Sequence, residues 1–284
     1  MTIQQAHTSL AGELGRLYDE REARTITQMV MEYLTGLSRT DQLVRKMEVL
    51  TASQEASFTK MRTQLLASMP VQYVLGEAWF AGMRFLVNEF TLIPRPETEE
   101  LVQWMVDTVR ENAIQPGRLL DIGTGSGCIP ITLAKQLPGW EISAIDISAG
   151  AIETAKENAR ILDARVAFSS MDILDTASQL QLPSYSIIVS NPPYVPLEEK
   201  NSMAKHVLDY EPHTALFVPD SDPLLFYRAI AAMALQKLEP GGWLFFEISD
   251  AQGLAVVSLL EHMQFRVECR KDLMGRDRMI RAAL

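Results

Sequence analysis

The 284-residue sequence lacks a run of about 18 apolar residues, a pair of neighbouring cysteines and an excess of basic side chains. The first absence leaves no candidate for a membrane-spanning helix. The only two cysteines, Cys128 and Cys269, stand far apart with no CxxC spacing. They support neither a disulfide framework nor a zinc site, and they fit a reducing compartment. The four histidines, His7, His206, His213 and His262, show no ligand spacing either, so no metal is expected. With 26 basic and 36 acidic residues the net charge is −10. Phosphate neutralisation needs a basic surplus, so direct nucleic-acid binding is not expected. The opening MTIQQAHTSLAGEL has no basic segment followed by an apolar one, which makes a cytoplasmic location, off the membrane, the expectation. What is present is 47% hydrophobic and 22% charged residues, enough for a folded core and too apolar for general disorder.

The first seventy residues carry apolar stripes at helical spacing: Leu10, Leu14, Leu17; Ile26, Val30, Tyr33, Leu34, Leu37; Leu43, Met47, Leu50; and Phe58, Met61, Leu65. Short helices burying these faces against one another predict a small bundle over residues 1–70. EAWFAGMRF at 77–85 predicts a hairpin turning at Ala-Gly, within a connecting segment 71–95. Pro96 suits the first turn of a helix running through Trp104 and Val109 and opening a larger domain, 96–284. Beyond Gly117 strands are predicted at 118–122, 141–147, 165–168, 185–190 and 243–248. Helices are predicted at 129–137, 149–162, 224–238 and 252–263. Such alternation means a mostly parallel, doubly wound sheet covered on both faces. Two final strands, 265–270 and 278–283, lack an intervening helix and read as an antiparallel hairpin.

Asp121-Ile122-Gly123-Thr124-Gly125-Ser126-Gly127 follows the first of these strands and opens a helix. Glycine lets the chain turn sharply and lets a ligand approach the main chain. A dinucleotide fingerprint would need a further glycine where Cys128 stands, and a P-loop would need Gly-Lys-Ser/Thr. Asp146 ends the next strand beside this loop, where a carboxylate can accept both hydroxyls of a ribose. Loop and acid together point to a nucleoside ligand without an essential pyrophosphate, which S-adenosylmethionine satisfies. Gly123, Thr124, Gly125, Ser126 and Gly127, with Asp146 and the adjoining Ile147, are therefore the cofactor candidates. Asp172 either contacts an adenine amino group or is a solvated loop residue, and Ile173 either packs on the adenine face or does not.

A β-branched strand ends abruptly in Asn191-Pro192-Pro193-Tyr194. The prolines stiffen the chain at the carboxyl end of a strand, where α/β sheets bind ligands. The side-chain carbonyl of Asn191 and the main-chain carbonyl of Pro192 are two fixed acceptors, suited to gripping both hydrogens of a planar –NH2 group. Such a grip orients a nitrogen whose lone pair is delocalised and stabilises the charge that develops as it forms a new bond.

With these motifs the chain resembles the peptide-chain release factor glutamine methyltransferases, the HemK/PrmC family, which methylate N5 of the glutamine in a Gly-Gly-Gln motif. The resemblance rests on QYVLGE (72–77), Phe80, IPRPETE (93–99), LDIGTGSG (120–127), Asp146, NPPYV (191–195), Tyr210-Glu211-Pro212, Ala215-Leu216-Phe217 and Gly275–Arg278. It implies a small all-α domain, a hairpin linker and a class I, Rossmann-like methyltransferase domain with a C-terminal antiparallel hairpin. It implies S-adenosylmethionine as cofactor, with S-adenosylhomocysteine as product, and class-one release factors as protein partners. Asn191 and Pro192 would hold the glutamine amide, with Pro193 and Tyr194 beside it. Asn191 would also line the cofactor site, with Glu97 and Thr98 near its methionine end. Three positions depart from the family pattern. His213 stands where arginine is common, Ser249 where glycine or asparagine often occurs, and Ile173 where some members carry an aromatic.

A ribosomal-protein glutamine methyltransferase shares the fold and the NPPY element, but IPRPETE with NPPYV favours the release-factor branch. An N6-adenine DNA methyltransferase uses a similar grip and needs a basic DNA-recognition region, which the acidic balance does not supply. A non-catalytic cofactor-binding scaffold is disfavoured by the intact Asn191 and Asp146.

Overall fold

The computed structural model describes residues 1–284, with side chains for all but positions 201 and 202. The chain forms two compact units. The first comprises residues 1–77 and 204–210. It contains α1 (Ile3–Leu14), α2 (Glu20–Thr35), α3 (Arg39–Val44), α4 (Ala52–Leu66) and α5 (Val71–Leu75). Local sequence sets these boundaries. Thr2 with Gln5 and Thr51 with Gln54 form capping boxes, Asp19 caps α2, and Gly36 and Gly76 end α2 and α5 with φ of 68° and 72°. Leu10, Leu14, Val30, Met31 and Leu65 are fully buried in one cluster, as the helical stripes predict.

One stripe behaves differently. Leu43 and Met47 are 68% and 69% exposed, because α3 stops at Val44 and only Leu50 turns inward. The segment after α3 instead serves the first turn of α1. Ile3 N donates to Glu48 O and Gln4 N to Lys46 O, both at 3.0 Å, satisfying donors that have no intrahelical partner. Residues 71–75, inside the stretch expected to be the hairpin linker, are helical. A further short helix, α10 (Lys205–Tyr210), belongs to this unit, with the Tyr210 hydroxyl donating to Ala67 O at 2.8 Å.

The second unit, residues 78–203 and 211–284, starts with the hairpin β1 (Glu77–Phe80) and β2 (Met83–Leu86). Ala81 and Gly82 both have positive φ, the geometry that matches the twist of two-residue hairpins. The Ala81 amide donates to Glu99 Oε1 on α6 (Pro96–Glu111), at 2.9 Å. The alternating part follows: β3 (Arg118–Ile122), α7 (Cys128–Gln136), β4 (Glu141–Asp146), α8 (Ala149–Ile161), β5 (Ala167–Ser170), α9 (Thr176–Leu180) and β6 (Tyr185–Ser190). A small parallel pair, β7 (Val195–Pro196) with β8 (Phe217–Val218), brackets α10 and α11 (His213–Leu216). The chain ends with α12 (Leu225–Lys237), β9 (Leu238–Glu247), α13 (Gly253–His262), β10 (Arg266–Lys271) and β11 (Asp277–Ala283).

The seven-stranded sheet has the order β10-β11-β9-β6-β3-β4-β5. β11 runs antiparallel between β9 and β10, so the closing hairpin predicted from sequence inserts its last strand into the sheet rather than leaving it at the edge. The exposed edge, β10, carries Arg266, Glu268, Arg270 and Lys271, charges that discourage pairing with another chain. Helices cover both faces. Trp104 of α6 meets Phe245 edge to face on one side, and Tyr227 of α12 meets Phe246 on the other. The third strand lies two residues later than the hydrophobic pattern places it, because pairing with β4 aligns Ser143 with Ala167 and Asp146 with Ser170. Among the described residues no helix is long and apolar enough to cross a membrane.

Candidate active site

The carboxyl ends of β3, β4 and β6 open into a cavity of about 330 Å3, within the roughly 300–1,000 Å3 range of small-ligand pockets. The glycine loop forms one wall. Gly123 N and Thr124 N both donate to Ile145 O, at 2.9 and 3.1 Å, which fastens the loop to the neighbouring strand. Gly123, Gly125 and Gly127 all have positive φ. Their needs differ. A Cβ on Gly125 would meet nothing within 4 Å, whereas one on Gly127 would lie 3.0 Å from Ile131 and 3.1 Å from Ala155. Gly127 thus permits close helix packing, and Gly125 leaves the main chain open to the cavity. The side chain of Asn158, a residue the sequence reading did not single out, donates to Ser126 O at 2.9 Å and exchanges hydrogen bonds with the main chain of Leu86. It ties the loop to the hairpin.

Asp146 lines the cavity with its carboxylate already aimed. Oδ2 accepts from Gly125 N and Oδ1 from Ser148 N, each at 2.9 Å. A carboxylate has about four acceptor positions, so each oxygen keeps one for a hydroxyl. Burial raises its pKa, opposed by these amide donors. Beneath the loop Asp121 is fully buried and neither carboxylate oxygen has a hydrogen-bond partner among the described residues. Burial pushes its carboxyl up to about 7, a shift opposed by Thr124, close by but outside hydrogen-bonding geometry. Ile147, Asp172 and Ile173 line the cavity as well. Asp172 Oδ1 accepts from Leu174 N at 2.8 Å, and Ile173 is buried in the core cluster under α12.

The NPPY segment supplies Asn191, Pro192 and Pro193 to the wall, while Tyr194 packs against the core cluster outside it. Burial pushes the Tyr194 phenol up to about 12. Asn191 Nδ2 donates to Thr98 Oγ1 at 3.4 Å, and the Thr98 hydroxyl donates to Glu247 Oε2 at 2.6 Å. Thr98 lines the cavity; Glu97, next to it, does not. Gln252 Nε2 holds the Tyr194 carbonyl at 2.8 Å. Arg95, at the cavity wall, pairs with Glu211 at 2.5 Å, and the Glu211 side chain is only 1% exposed. Phe90 lies at the wall too, its ring seated where a side chain on Gly150 would stand, 2.5 Å from the added Cβ. Sequence motifs flagged the segments holding Arg95 and Glu211 but not their pairing, since 116 residues separate them.

Residues 98–212 match the family model of the methyltransferase small domain, and residues 6–76 match that of the PrmC N-terminal domain. A release factor glutamine methyltransferase of Flavobacterium psychrophilum is 42% identical over 99% of both chains. That of Bacteroides thetaiotaomicron is 43% identical over 94% of both, and that of Streptococcus pneumoniae 38% over 99% of this chain and 98% of its own. The chain belongs to the release factor glutamine methyltransferase family. Solved methyltransferases share the fold at low identity. The hMettl16 catalytic domain covers 82% of each chain at 18% identity with a TM-score of 0.52, and a methyltransferase from Pyrococcus furiosus reaches 0.50 at 14%, covering 82% of this chain and all of its own.

Methyltransferase membership implies use of S-adenosylmethionine, and the cavity residues fit that group. Asp146, at the cavity wall, keeps acceptors for ribose hydroxyls, and Gly125 leaves room at the main chain for a ligand to approach. Among the described residues no group of three or more His, Cys, Asp or Glu is placed to hold a metal ion.

Proposed function

We propose that this release factor glutamine methyltransferase homologue transfers the methyl group of S-adenosylmethionine to the N5 side-chain amide nitrogen of the glutamine in the Gly-Gly-Gln motif of class-one release factors. The reaction takes place in the cytoplasm, without direct contact to nucleic acid or membrane. One observation carries the reading: near-full-length identity of 42% to a named relative, in a chain whose Asn191 and Pro192 line the cavity together with the glycine loop.

When bound, S-adenosylmethionine supplies a methyl group activated by its sulfonium leaving group. Asp146 holds the ribose hydroxyls, and Gly123, Thr124, Gly125, Ser126 and Gly127 line the rest of that site with Ile147, Asp172 and Ile173. Asn191 Oδ1 and the Pro192 carbonyl accept the two N–H groups of the substrate amide and point its nitrogen at the cofactor. Positioning of this kind removes much of the entropic barrier. The same two acceptors stabilise positive charge growing on nitrogen. Pro193 and Tyr194 stiffen the segment.

The test is incubation with S-adenosylmethionine and, separately, a class-one release factor, a ribosomal protein bearing a methylatable glutamine, and duplex DNA, followed by mass spectrometry of peptides and nucleosides. A methyl group on the Gly-Gly-Gln glutamine is expected. Methylation of the ribosomal protein alone, or of adenine, would overturn the proposal.

A further inference from the structure

Asn191 has a side-chain amide that can present either its oxygen or its nitrogen to the cavity, and only the oxygen accepts from a substrate –NH2. We infer that Glu247, acting through the Thr98 hydroxyl, is a positioning residue that fixes this orientation. The inference rests on the amide-gripping role of Asn191 proposed above.

Thr98 has one hydroxyl proton, and it points to Glu247 Oε2 at 2.6 Å. An ionised Glu247 can only accept, so that proton stays committed, and Thr98 Oγ1 offers Asn191 a lone pair. Asn191 answers with Nδ2, the long 3.4 Å contact. The reversed amide would set Oδ1 against that lone pair, oxygen to oxygen. Asn191 Oδ1 is thereby left to the cavity. A protonated Glu247 donates its own proton to Thr98, which frees the threonine hydroxyl to donate to Asn191 Oδ1. The relay then runs backwards and turns a donor toward the substrate amide.

The elements around Glu247 make both states accessible. Glu247 ends β9, Thr98 lies in the first turn of α6, and Asn191 follows β6, so three elements converge on one chain of hydrogen bonds. Burial pushes the Glu247 carboxyl up to about 7, opposed by the Thr98 hydroxyl and by Arg278 on β11. Glu97 raises it further and Arg95 lowers it, both from the start of α6. Tyr194 after β6, Tyr227 on α12 and Cys128 on α7 also feel its charge, and the Tyr227 hydroxyl donates to the Glu247 main-chain carbonyl at 3.1 Å.

The experiment uses the full chain and five substitutions, with three readouts: kcat against pH on a Gly-Gly-Gln peptide, the Kd of S-adenosylmethionine, and the Kd of the unmethylated peptide for enzyme loaded with S-adenosylhomocysteine. Glu247→Leu should lower kcat roughly ten- to a hundredfold and weaken peptide binding, with cofactor Kd changed by less than about threefold. Glu247→Gln, which cannot ionise and whose amide can accept from Thr98 or donate to it, should lose the acid limb of the kcat profile seen in the parent and fall between the parent and Glu247→Leu in kcat. Thr98→Val should reproduce the Glu247→Leu loss, and Thr98→Ser should restore it, which keeps the test intact if Glu247→Leu does not fold. Near-normal kcat and peptide Kd in Thr98→Val, or a change in cofactor Kd alone, would overturn the relay. An active Asn191→Ala would instead overturn the grip itself; an inactive Asn191→Ala beside an unaffected Thr98→Val would remove only the relay.

Discussion

Two loops at the carboxyl ends of adjacent strands build this site by different means. The glycine loop after β3 is held chiefly through its main chain: the Gly123 and Thr124 amides on Ile145 O, left-handed conformations at three glycines, and main-chain groups that meet Asp146 and Asn158 side chains at Gly125 N and Ser126 O. The NPPY segment after β6 is held by side chains from elsewhere, with Thr98 and Glu247 at Asn191 and Gln252 at the Tyr194 carbonyl. Backbone-held geometry is local and tolerates changes in distant side chains. Side-chain-held geometry is precise but has as many points of failure as partners, and its hydrogen-bond polarity depends on protonation.

The sharpest way to break the comparison is at Asn191, the residue proposed to grip the substrate amide. Asn191→Ala is expected to lower turnover by about 100- to 1,000-fold, the usual loss when one preorganised charge-stabilising group is removed. Cofactor Kd should stay within a few-fold, as isothermal calorimetry would report. A comparable loss of cofactor binding would mean the two loops are not separable. Gly127→Ala attacks the first loop through its backbone. The new Cβ meets Ile131 and Ala155 at a φ of 80°, so a loss of about 2–4 kcal/mol in folding stability is expected from chemical denaturation. Gly125→Ala, with open space around it, should cost clearly less.

Asp146→Ala removes two charged acceptors aimed by amides, and should weaken cofactor binding by roughly 10- to 100-fold with little change in peptide Kd. The smallest expected effect is a pH-dependent one. Asp121 titrates at about 7 when folded, above the ordinary carboxylate range of the unfolded chain. Between those two values the folded state holds the extra proton, so its contribution to stability is present at low pH and is lost as pH rises through about 7. Asp121→Asn should therefore stabilise the protein at alkaline pH and hardly at all near pH 4, read as a difference in denaturation midpoint. A shift independent of pH would show that the unpaired carboxylate is not the cause.

Much of the fold was legible because its signals are short-range. The strand at 185–190, the hairpin turn at Ala81-Gly82 and the helix opening at Pro96 each follow from φ preferences and apolar spacing within a few residues. The stripe Leu43, Met47, Leu50 misled because the spacing was right, yet the backbone after Val44 found better partners in the exposed amides of α1. Tyr194 and Glu97 are marked in the sequence with their neighbours along the chain, and neither is among the residues that line the cavity. Asn158 and Gln252 carried no motif at all. Their amides act on backbone groups dozens of residues away, which periodicity does not register.

The sequence by itself determined where the chain must turn, which strands are buried, and which residues at strand ends have the chemistry to meet a nucleoside and an amide. These depend on torsional freedom and side-chain type, properties a residue carries with it. Only the tertiary structure decided that Asn191 meets Thr98, that Arg95 pairs with Glu211, and that Asp121 and Glu247 are buried. Those outcomes depend on dielectric and on the direction of hydrogen bonds between separate elements, and neither exists until the sheet has brought β3, β6 and β9 together beneath α6.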